Sequence, residues 1–247
     1  MNSDLKHYII GDVHGEYQTL LKLLELFDKD SYLYFVGDII DRGEDSAKIV
    51  SLIREQGYKM VLGNHEVVFI KYVSSLLAGE NVDTLKEKWR TWIGLNGGKE
   101  TLISYGLWED IEYSKNSLKH AKSDMDWMKS LPLYIELDIK HKSRKKIVIS
   151  HSNISSVWHL RDDENQKELF ENTLLRTRDT EFDTQCEIFN IYGHVPQKLD
   201  EVSKINSLIV DTGCCYEKDG YGFLSAYCIE DDEILSVKRV PVKHYLY

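Results

Sequence analysis

The sequence of 247 residues predicts an α/β fold in a single domain. In the first third of the chain, three short β-rich runs are separated by segments of helical periodicity, which is typical of parallel strands joined by helices. A mostly helical stretch follows from about residue 67 to 131, and the last third returns to strands. Because no repeat, linker or low-complexity tract divides the chain, we expect one domain over residues 1–247, with the helical stretch as an insertion.

The predicted elements follow the apolar pattern in order. The first three strands are His7–Ile10, Tyr32–Val36 and Tyr58–Leu62, each rich in β-branched or aromatic residues. Apolar residues recur at helical spacing between Leu20 and Phe27, and again between Ile49 and Ile53. Six further strands are expected in the last third: Leu133–Asp138, Lys146–Ser150, Ile188–Tyr192, Ser207–Asp211, Gly222–Ile229 and Ile234–Val240.

The chain is acidic, with 31 Lys and Arg against 41 Asp and Glu and a net charge of −10. Nucleic-acid backbones and anionic membranes are bound mainly through Lys and Arg, so neither is an expected partner. No apolar run approaches the ~20 residues that span a bilayer, and residues 1–4 lack the basic and apolar regions of a signal peptide. We expect a cytoplasmic protein whose cysteines are reduced and serve as small buried side chains: Cys186, Cys214, Cys215 and Cys228.

Polar residues follow five of the predicted strands at the point where each strand ends. Because the carboxyl ends of strands in an open α/β sheet form its ligand-binding edge, these side chains are expected to converge. Carboxylates, imidazoles and an amide suit divalent ions such as Mn²⁺, Fe²⁺ or Zn²⁺, and six such groups suit two ions that share one carboxylate. The six residues are Asp12, His14, Asp38, Asn64, His151 and His194.

Each of these residues has a simpler explanation when it is taken alone. An Asp-x-His turn can satisfy its own polar groups, Asp41-Arg42 can be a surface ion pair, and Asn64 can cap the helix that follows it. The recurrence of such residues at five strand ends favours a site instead. Two arginines, Arg42 and Arg178, are then candidates for binding phosphate oxygens.

The turns themselves resemble the signature blocks of a known family, the calcineurin-like metallophosphoesterases. The likeness is strongest to their phosphoprotein phosphatase branch, in particular to the phage lambda protein phosphatase and its bacterial relatives. It covers nearly the whole chain in the same order. The blocks are Gly11–Gly15, Gly37–Gly43, Gly63–Glu66, Leu95–Gly98, Ser150-His151, Tyr192–Pro196 and Val210–Gly213.

The resemblance implies a β-sandwich flanked by helices, with two metal ions at its rim. It also implies that the segment around Asn96 lies near the site as a possible wall. Mn²⁺ is the expected ion, with Fe, Zn or Ni as alternatives. The implied ligands are Asp12, His14 and Asp38 for the first ion, and Asp38, Asn64, His151 and His194 for the second.

The resemblance further assigns the catalytic and phosphate-binding residues. His65 would be the general acid for the leaving oxygen, and Asp41 would orient it. Arg42 would serve the reaction by binding the phosphate, together with Arg178 and Asn64. Arg176 is the alternative to Arg178, because the Leu-Leu-Arg-Thr-Arg segment leaves the register of the arginine open by two positions.

Three functions are compatible with these residues. The first is a metal-dependent phosphomonoesterase, a serine/threonine protein phosphatase in which a hydroxide bridging the two ions attacks phosphorus in line; its partner would be a phosphorylated protein or peptide. The second is hydrolysis of dinucleoside polyphosphates such as diadenosine tetraphosphate. The third, a non-catalytic binding module, is disfavoured because no ligand or acid is missing. The chain length and the Gly-Asn-His-Glu block favour the first, so we expect phosphopeptides to be preferred over the dinucleotide.

Overall fold

The computed structural model describes residues 5–108, 114–198, 203–204, 206–216, 218–230 and 233–242. Ten strands form two sheets, and eight α-helices and one short 3-10 turn at Trp158–Leu160 surround them within these residues. The strands are β1 (His7–Ile10), β2 (Tyr32–Phe35), β3 (Lys59–Met60), β4 (Tyr134–Lys140), β5 (Lys146–Ser150), β6 (Ile188–Tyr192), β7 (Ser203–Lys204), β8 (Ser207–Ile209), β9 (Phe223–Glu230) and β10 (Glu233–Pro241). The helices are α1 (Tyr17–Leu24), α2 (Ser46–Gln56), α3 (Asn64–Leu77), α4 (Val82–Lys88), α5 (Arg90–Leu95), α6 (Gly98–Ser104), α7 (Lys115–Met128) and α8 (Lys167–Arg176).

Both sheets mix parallel and antiparallel strands. The first has the order β10-β9-β1-β2-β3, in which β1, β2 and β3 are parallel as predicted and β9 returns antiparallel to β1. The second has the order β4-β5-β6-β8-β7, in which β5, β6 and β8 are parallel. The carboxyl ends of the parallel strands therefore lie at one edge of each sheet, and the turns that follow them carry the candidate ligands.

The two sheets pack face to face, and alternation along β1 shows the layering. Ile9 belongs to the apolar cluster between the sheets, with Val36 and Ile149, whereas Tyr8 and Ile10 belong to the cluster beneath the helices. Successive side chains of a strand point to opposite faces, so β1 contributes to both layers. The predicted α/β architecture, a β-sandwich flanked by helices, is confirmed.

Helices cover the outer face of each sheet. Most of them, including the run from α3 to α7, pack on the first sheet, and α8 packs on the second through Phe170 and Leu174. Trp92 is buried in the larger helical cluster, and Trp89, Trp108 and Trp127 pack against it. These tryptophans therefore form part of the core, as expected for aromatic residues on a helical layer.

Some elements differ from their predicted bounds. The first helix ends at Leu24, and Phe27 lies beyond it with its ring stacked 4.3 Å from that of Tyr8. The third strand is reduced to Lys59–Met60, because only these residues pair with β2. The charged stretch after residue 161 contains α8, which buries few side chains and so gave a weak apolar pattern.

The structure bears only in part on three expectations from the sequence: the absence of a signal peptide, the absence of a membrane span and the organisation as one domain. Residues 1–4, on which the expected absence of a signal peptide rests, lie outside the described residues. Within the described ranges, no helix combines the length and apolar character needed to cross a bilayer. The organisation as one domain with an insertion stays a prediction.

Candidate active site

In the turns after the strands, several candidate site residues have a positive φ, a backbone conformation that residues other than glycine rarely adopt. Among the described residues, six that are not glycine have a positive φ, and five of these are residues that the sequence singled out. A left-handed conformation costs about 1–2 kcal/mol per residue, so such strain is concentrated at functional sites. The five are His14 (φ 47°), Asp38 (φ 50°), Asp41 (φ 71°), Arg42 (φ 72°) and His194 (φ 68°).

Glu66 ties two of these turns together from the first turn of α3, where it is fully buried. Its carboxylate accepts the N–H groups of Asp38 and Ile39 after β2, both at 2.9 Å, and that of Gly63 at 3.0 Å. Gly63 allows this approach, because a Cβ there would lie 2.4 Å from the backbone nitrogen of Asp38. The turn that carries Asp38 is thus fixed against the start of α3.

His151 gathers several ligand atoms at one point. Its Nε2 lies 2.9 Å from Oδ1 of Asn64, 3.1 Å from Nδ1 of His194 and 3.4 Å from Oδ2 of Asp38. Its Nδ1 lies 2.8 Å from the carbonyl oxygen of Val36, which can only accept, so Nδ1 carries the proton and Nε2 offers its lone pair. Atoms bound about 2.1 Å from one ion lie about 3 Å apart, so this spacing would allow these atoms to share one ion.

Asp38 is shared by two groups of donor atoms. In one group, atoms of His14, Asp38 and His65 all lie within 4.8 Å of one another; in the other, atoms of Asp38, His151 and His194 do. Burial, and then nearby cationic side chains, lower the pKa of His14 well below its ordinary value and that of His194 to about 4. Both imidazoles are therefore neutral near neutral pH, which is the form that binds metal.

Three carboxylates are buried together beside these histidines. Burial, and then the charges of Asp211 and Asp38, raise the pKa of Asp12 well above its ordinary value, and burial raises the pKa of Asp211 to about 6. Cations bound beside such a cluster would balance its charge and keep the carboxylates ionised. Carboxylates, neutral imidazoles and an amide together fit borderline-to-hard divalent ions, so the side chains present suit the metal that the family resemblance implies.

Asp12 differs from the other predicted ligands in its placement. Its carboxylate accepts the backbone N–H of His194 at 3.2 and 3.3 Å, and its atoms belong to neither group of mutually close donors, where His65 stands in the first group instead. The role of Asp12 as a ligand of the first ion and that of His65 as an acid therefore stay proposals that mutation can separate.

His65 is held by Asp41 in a fully buried pair. Nδ1 of His65 lies 2.5 Å from Oδ2 of Asp41, and its Nε2 lies 3.7 Å from Oδ2 of Asp38. Burial disfavours the charged imidazole, but the carboxylates of Asp38 and Asp41 outweigh it and raise the pKa of His65 to about 9. The arrangement favours an imidazolium whose Nε2 carries a transferable proton.

The guanidinium of Arg42 lies over the site and is oriented by two residues of the loop after β8. Its Nη1 donates to Sγ of Cys215 at 3.1 Å, and its central carbon lies 5.3 Å from the ring centre of Tyr216. Arg178 lines the same cavity, whereas Arg176 is the last residue of α8 and does not line it. The geometry thus favours Arg178 over Arg176 as the second candidate for phosphate.

These residues enclose a small polar cavity of about 80 Å³. Asn96 lines it, in agreement with its expected position as a wall. Three further site residues lie behind the lining residues and contact them: Asp12, Asp41 and His151. The lining residues are His14, Asp38, Arg42, Asn64, His65, Asn96, Arg178, His194, Pro196, Asp211 and Tyr216.

The sequence left several residues of this site without a role. Asp211 follows β8 as the other ligands follow their strands, so its position at a strand end was a usable signal. Cys215 and Tyr216 carried no signal, because they reach Arg42 from a loop 173 and 174 residues away in the chain. None of the four cysteines forms a disulfide, and Cys215 alone among them is only half-buried.

Comparison with known proteins gives a family and a set of relatives. The model of the calcineurin-like phosphoesterase family matches residues 5–206. The chain is 27% identical over 163 residues to a symmetrical bis(5'-nucleosyl)-tetraphosphatase of Wigglesworthia glossinidia brevipalpis, covering 64% of this chain and 48% of that protein. It is 32% identical over 158 residues to the protein of the same name from Legionella pneumophila (strain Lens), covering 62% and 46%. The chain spans about half the length of the curated relatives it matches.

A solved structure with the same fold is a serine/threonine protein phosphatase of Saccharomyces cerevisiae. It matches with a TM-score of 0.64 over 99% of this chain and 82% of its own, at 14% identity, which shows a shared fold. The named relatives in sequence do not support the expected nearest likeness to the phage lambda protein phosphatase.

Proposed function

The chain belongs to the calcineurin-like phosphoesterase family, and we propose that it is a metal-dependent hydrolase of dinucleoside polyphosphates such as diadenosine tetraphosphate. The observation that supports a phosphoesterase is the pair of donor groups that share Asp38 beneath the guanidinium of Arg42. The substrate class rests on the relatives, which are named as symmetrical bis(5'-nucleosyl)-tetraphosphatases. This reverses the preference for phosphopeptides that the sequence alone suggested.

Two divalent ions would be held by the chain's buried ligands, and Mn²⁺ is the ion we propose. When bound, they would supply a nucleophile at neutral pH and offset the negative charge of the phosphoryl group. Asp38 would be common to both. The proposed ligands are Asp12, His14 and Asp38 for one ion, and Asp38, Asn64, His151 and His194 for the other.

The chain's own side chains bind and orient the phosphoryl group. Arg42, held by Cys215 and Tyr216, would bind two of its oxygens, and Arg178, which lines the same cavity, would reach a third. Planar guanidinium groups suit the equatorial oxygens on which charge builds up during phosphoryl transfer. Asn64 would donate from its amide nitrogen to the same group.

His65 would protonate the departing oxygen. Because Asp41 accepts from Nδ1, the proton that can be given up is on Nε2, and His65 lines the cavity where the leaving oxygen would lie. A nucleoside diphosphate is a good leaving group and needs this proton little, whereas the alkoxide of a serine needs it greatly. Symmetrical cleavage of diadenosine tetraphosphate by water would yield two molecules of adenosine diphosphate.

A second cavity adjoins the catalytic one and could receive a nucleoside. It has a volume of about 270 Å³, and Tyr216 lines both cavities. The rings of Tyr216 and Tyr221 lie at an edge-to-face angle with centres 6.2 Å apart, and Lys218 adds a cation at the rim. Aromatic rings stack on nucleobases, and a lysine suits the phosphates that join them.

A protein phosphatase is the second candidate, and the His65–Asp41 pair favours it. A general acid of the kind this pair would supply is of most use to a substrate with a poor leaving group, such as phosphoserine. Leu95 is 83% exposed beside Asn96 at the cavity and could contact a peptide side chain.

A comparison of kcat/KM decides between the two candidates. The Mn²⁺-loaded protein is assayed on diadenosine tetraphosphate, a phosphothreonine peptide and a phosphotyrosine peptide. We expect the dinucleotide to be preferred at least about tenfold, and Tyr221→Ala, at a residue that lines the second cavity and not the catalytic one, to raise its KM more than that of p-nitrophenyl phosphate. A hundredfold preference for a peptide would establish the second candidate in its place, and hydrolysis of none of the three would overturn both.

A further inference from the structure

The carboxylate of Asp41 is held by more than its histidine partner. It is fully buried, and its two oxygens receive three hydrogen bonds from side chains. Oδ2 accepts from Nδ1 of His65 at 2.5 Å and from the indole Nε1 of Trp92 at 2.6 Å, while Oδ1 accepts from the hydroxyl of Thr101 at 2.6 Å. Trp92 lies on α5 and Thr101 on α6, on either side of the Asn96-Gly97-Gly98 break.

We propose that Trp92 and Thr101 are positioning residues for the general acid, acting on His65 through Asp41. This inference rests on the proposed role of His65. Two neutral donors fix the rotation of the Asp41 carboxylate about its Cβ–Cγ bond, so that Oδ2 faces Nδ1 of His65. The imidazole is then held with Nε2 toward the cavity, as orienting partners of catalytic histidines commonly do.

The hydroxyl of Thr101 extends this support to the backbone. Its Oγ1 accepts the N–H of Asp41 at 2.9 Å and lies 2.9 Å from the hydroxyl of Ser46, at the start of α2. Asp41, whose backbone is left-handed, is therefore hydrogen-bonded at its N–H and at both oxygens of its side-chain carboxylate. Charge-assisted bonds of this length are among the stronger hydrogen bonds in proteins.

Trp92 contributes both a ring that packs in the core and an N–H that donates to Asp41, and a substitution can separate the two. Its ring lies 5.3 Å from that of Tyr72, and a Cβ on Gly98 would come within 2.4 Å of it, so the ring fills a tight space. Only the indole N–H reaches Asp41. Replacing Trp92 by Phe removes that donor and keeps an aromatic ring in the core.

Trp89 offers a matched control three residues earlier. Its ring packs against the same cluster, and its buried Nε1 has no hydrogen-bond partner among the described residues. Trp89→Phe therefore removes an indole N–H that supports no carboxylate, and the half-buried Trp89 loses less packing than the buried Trp92.

The test uses a series of aryl phosphates from p-nitrophenyl to phenyl phosphate with the Mn²⁺-loaded protein. We expect Trp92→Phe and Thr101→Val to lower kcat on phenyl phosphate by about 10–100-fold, with KM and metal content unchanged. On p-nitrophenyl phosphate, whose leaving group needs little protonation, the loss should be only about threefold or less. Thr101→Ser keeps the hydroxyl and should restore the activity that Thr101→Val loses.

Three results would overturn the inference. The first is equal kinetics of Trp92→Phe and Trp89→Phe on both substrates in an active wild-type background. The second is a loss that is the same for both leaving groups, and the third is a loss that comes with loss of metal, since either would indicate general distortion. If Trp92→Phe does not fold, the Thr101→Val and Thr101→Ser pair decides on the same criteria. A wild-type chain that hydrolyses no phosphate ester or anhydride would instead overturn the proposed function, and this inference with it.

Discussion

Replacement of Glu66 by Gln measures how firmly the strained turns are held. Oε2 of Glu66 accepts the N–H groups of Asp38 and Gly63, and Oε1 accepts that of Ile39. A glutamine has one carbonyl oxygen, which can take over the two bonds of Oε2 and leaves its amide nitrogen facing the N–H of Ile39. A buried donor without an acceptor costs about 1–3 kcal/mol.

Glu66→Gln should therefore lower the free energy of unfolding by about 1–3 kcal/mol, because it loses the hydrogen bond from the N–H of Ile39. For a chain of this size each kcal/mol lowers the unfolding midpoint by about 2–4 °C, so the midpoint should fall by about 2–12 °C. The assay is thermal unfolding followed by circular dichroism at about pH 8. Burial raises the pKa of Glu66 to about 7, so the wild-type carboxylate is ionised there, and the cost of burying this charge, which a glutamine avoids, places the expected fall at the lower end of the range.

Glu44→Gln is the matched control, because Glu44 is exposed in the same region of the chain. Surface substitutions of this kind change stability by about 0.5 kcal/mol or less. If the two variants unfold at the same temperature, the three hydrogen bonds of Glu66 do not hold the turns, and the reasoning is refuted.

Three further substitutions test other parts of the site. Asp38→Asn should reduce metal content at both groups of ligands, measured by plasma mass spectrometry after dialysis; loss of one ion with the other retained would contradict a shared ligand. Arg42→Ala should raise KM for the substrate and the inhibition constant of inorganic phosphate about tenfold or more with metal retained, and unchanged values would make Arg42 a structural residue. Gly97→Ala should destabilise the chain by about 1–3 kcal/mol in urea, because the new Cβ would lie 2.3 Å from the nitrogen of Arg42 at a φ of +80°; Gly79→Ala, where φ is also positive but the surroundings are open, isolates the steric part.

Several strand positions could be predicted because the strands are short runs rich in apolar residues with polar residues after them. Ile188–Tyr192 and Lys146–Ser150 have the same bounds in the sequence prediction and in the structure. What the apolar pattern could not supply is which strands pair. The pairing of β1 with β9 joins residues more than 200 positions apart, for example Ile9 and Tyr227, and depends on the packing of the whole chain.

In the candidate site, too, the sequence predicts some features and leaves others out. The ligand-type residues could be found because each follows a strand, and the fold brings their side chains to one cavity. The partners that orient them were not predictable in this way. Trp92 looks like any core tryptophan in the sequence, and only the placement of α5 against the turn at Asp41 shows that its indole nitrogen donates to a carboxylate.

The five left-handed residues at the site also bear on how this protein responds to selection for stability. Glycine adopts a positive φ without a steric penalty, so replacement by glycine would relieve about 1–2 kcal/mol at each position. A library screened for thermal resistance alone should therefore accumulate glycine at positions such as His14 and Asp41 and lose its chemistry, whereas a screen that also requires turnover should find its stabilising changes elsewhere in the chain.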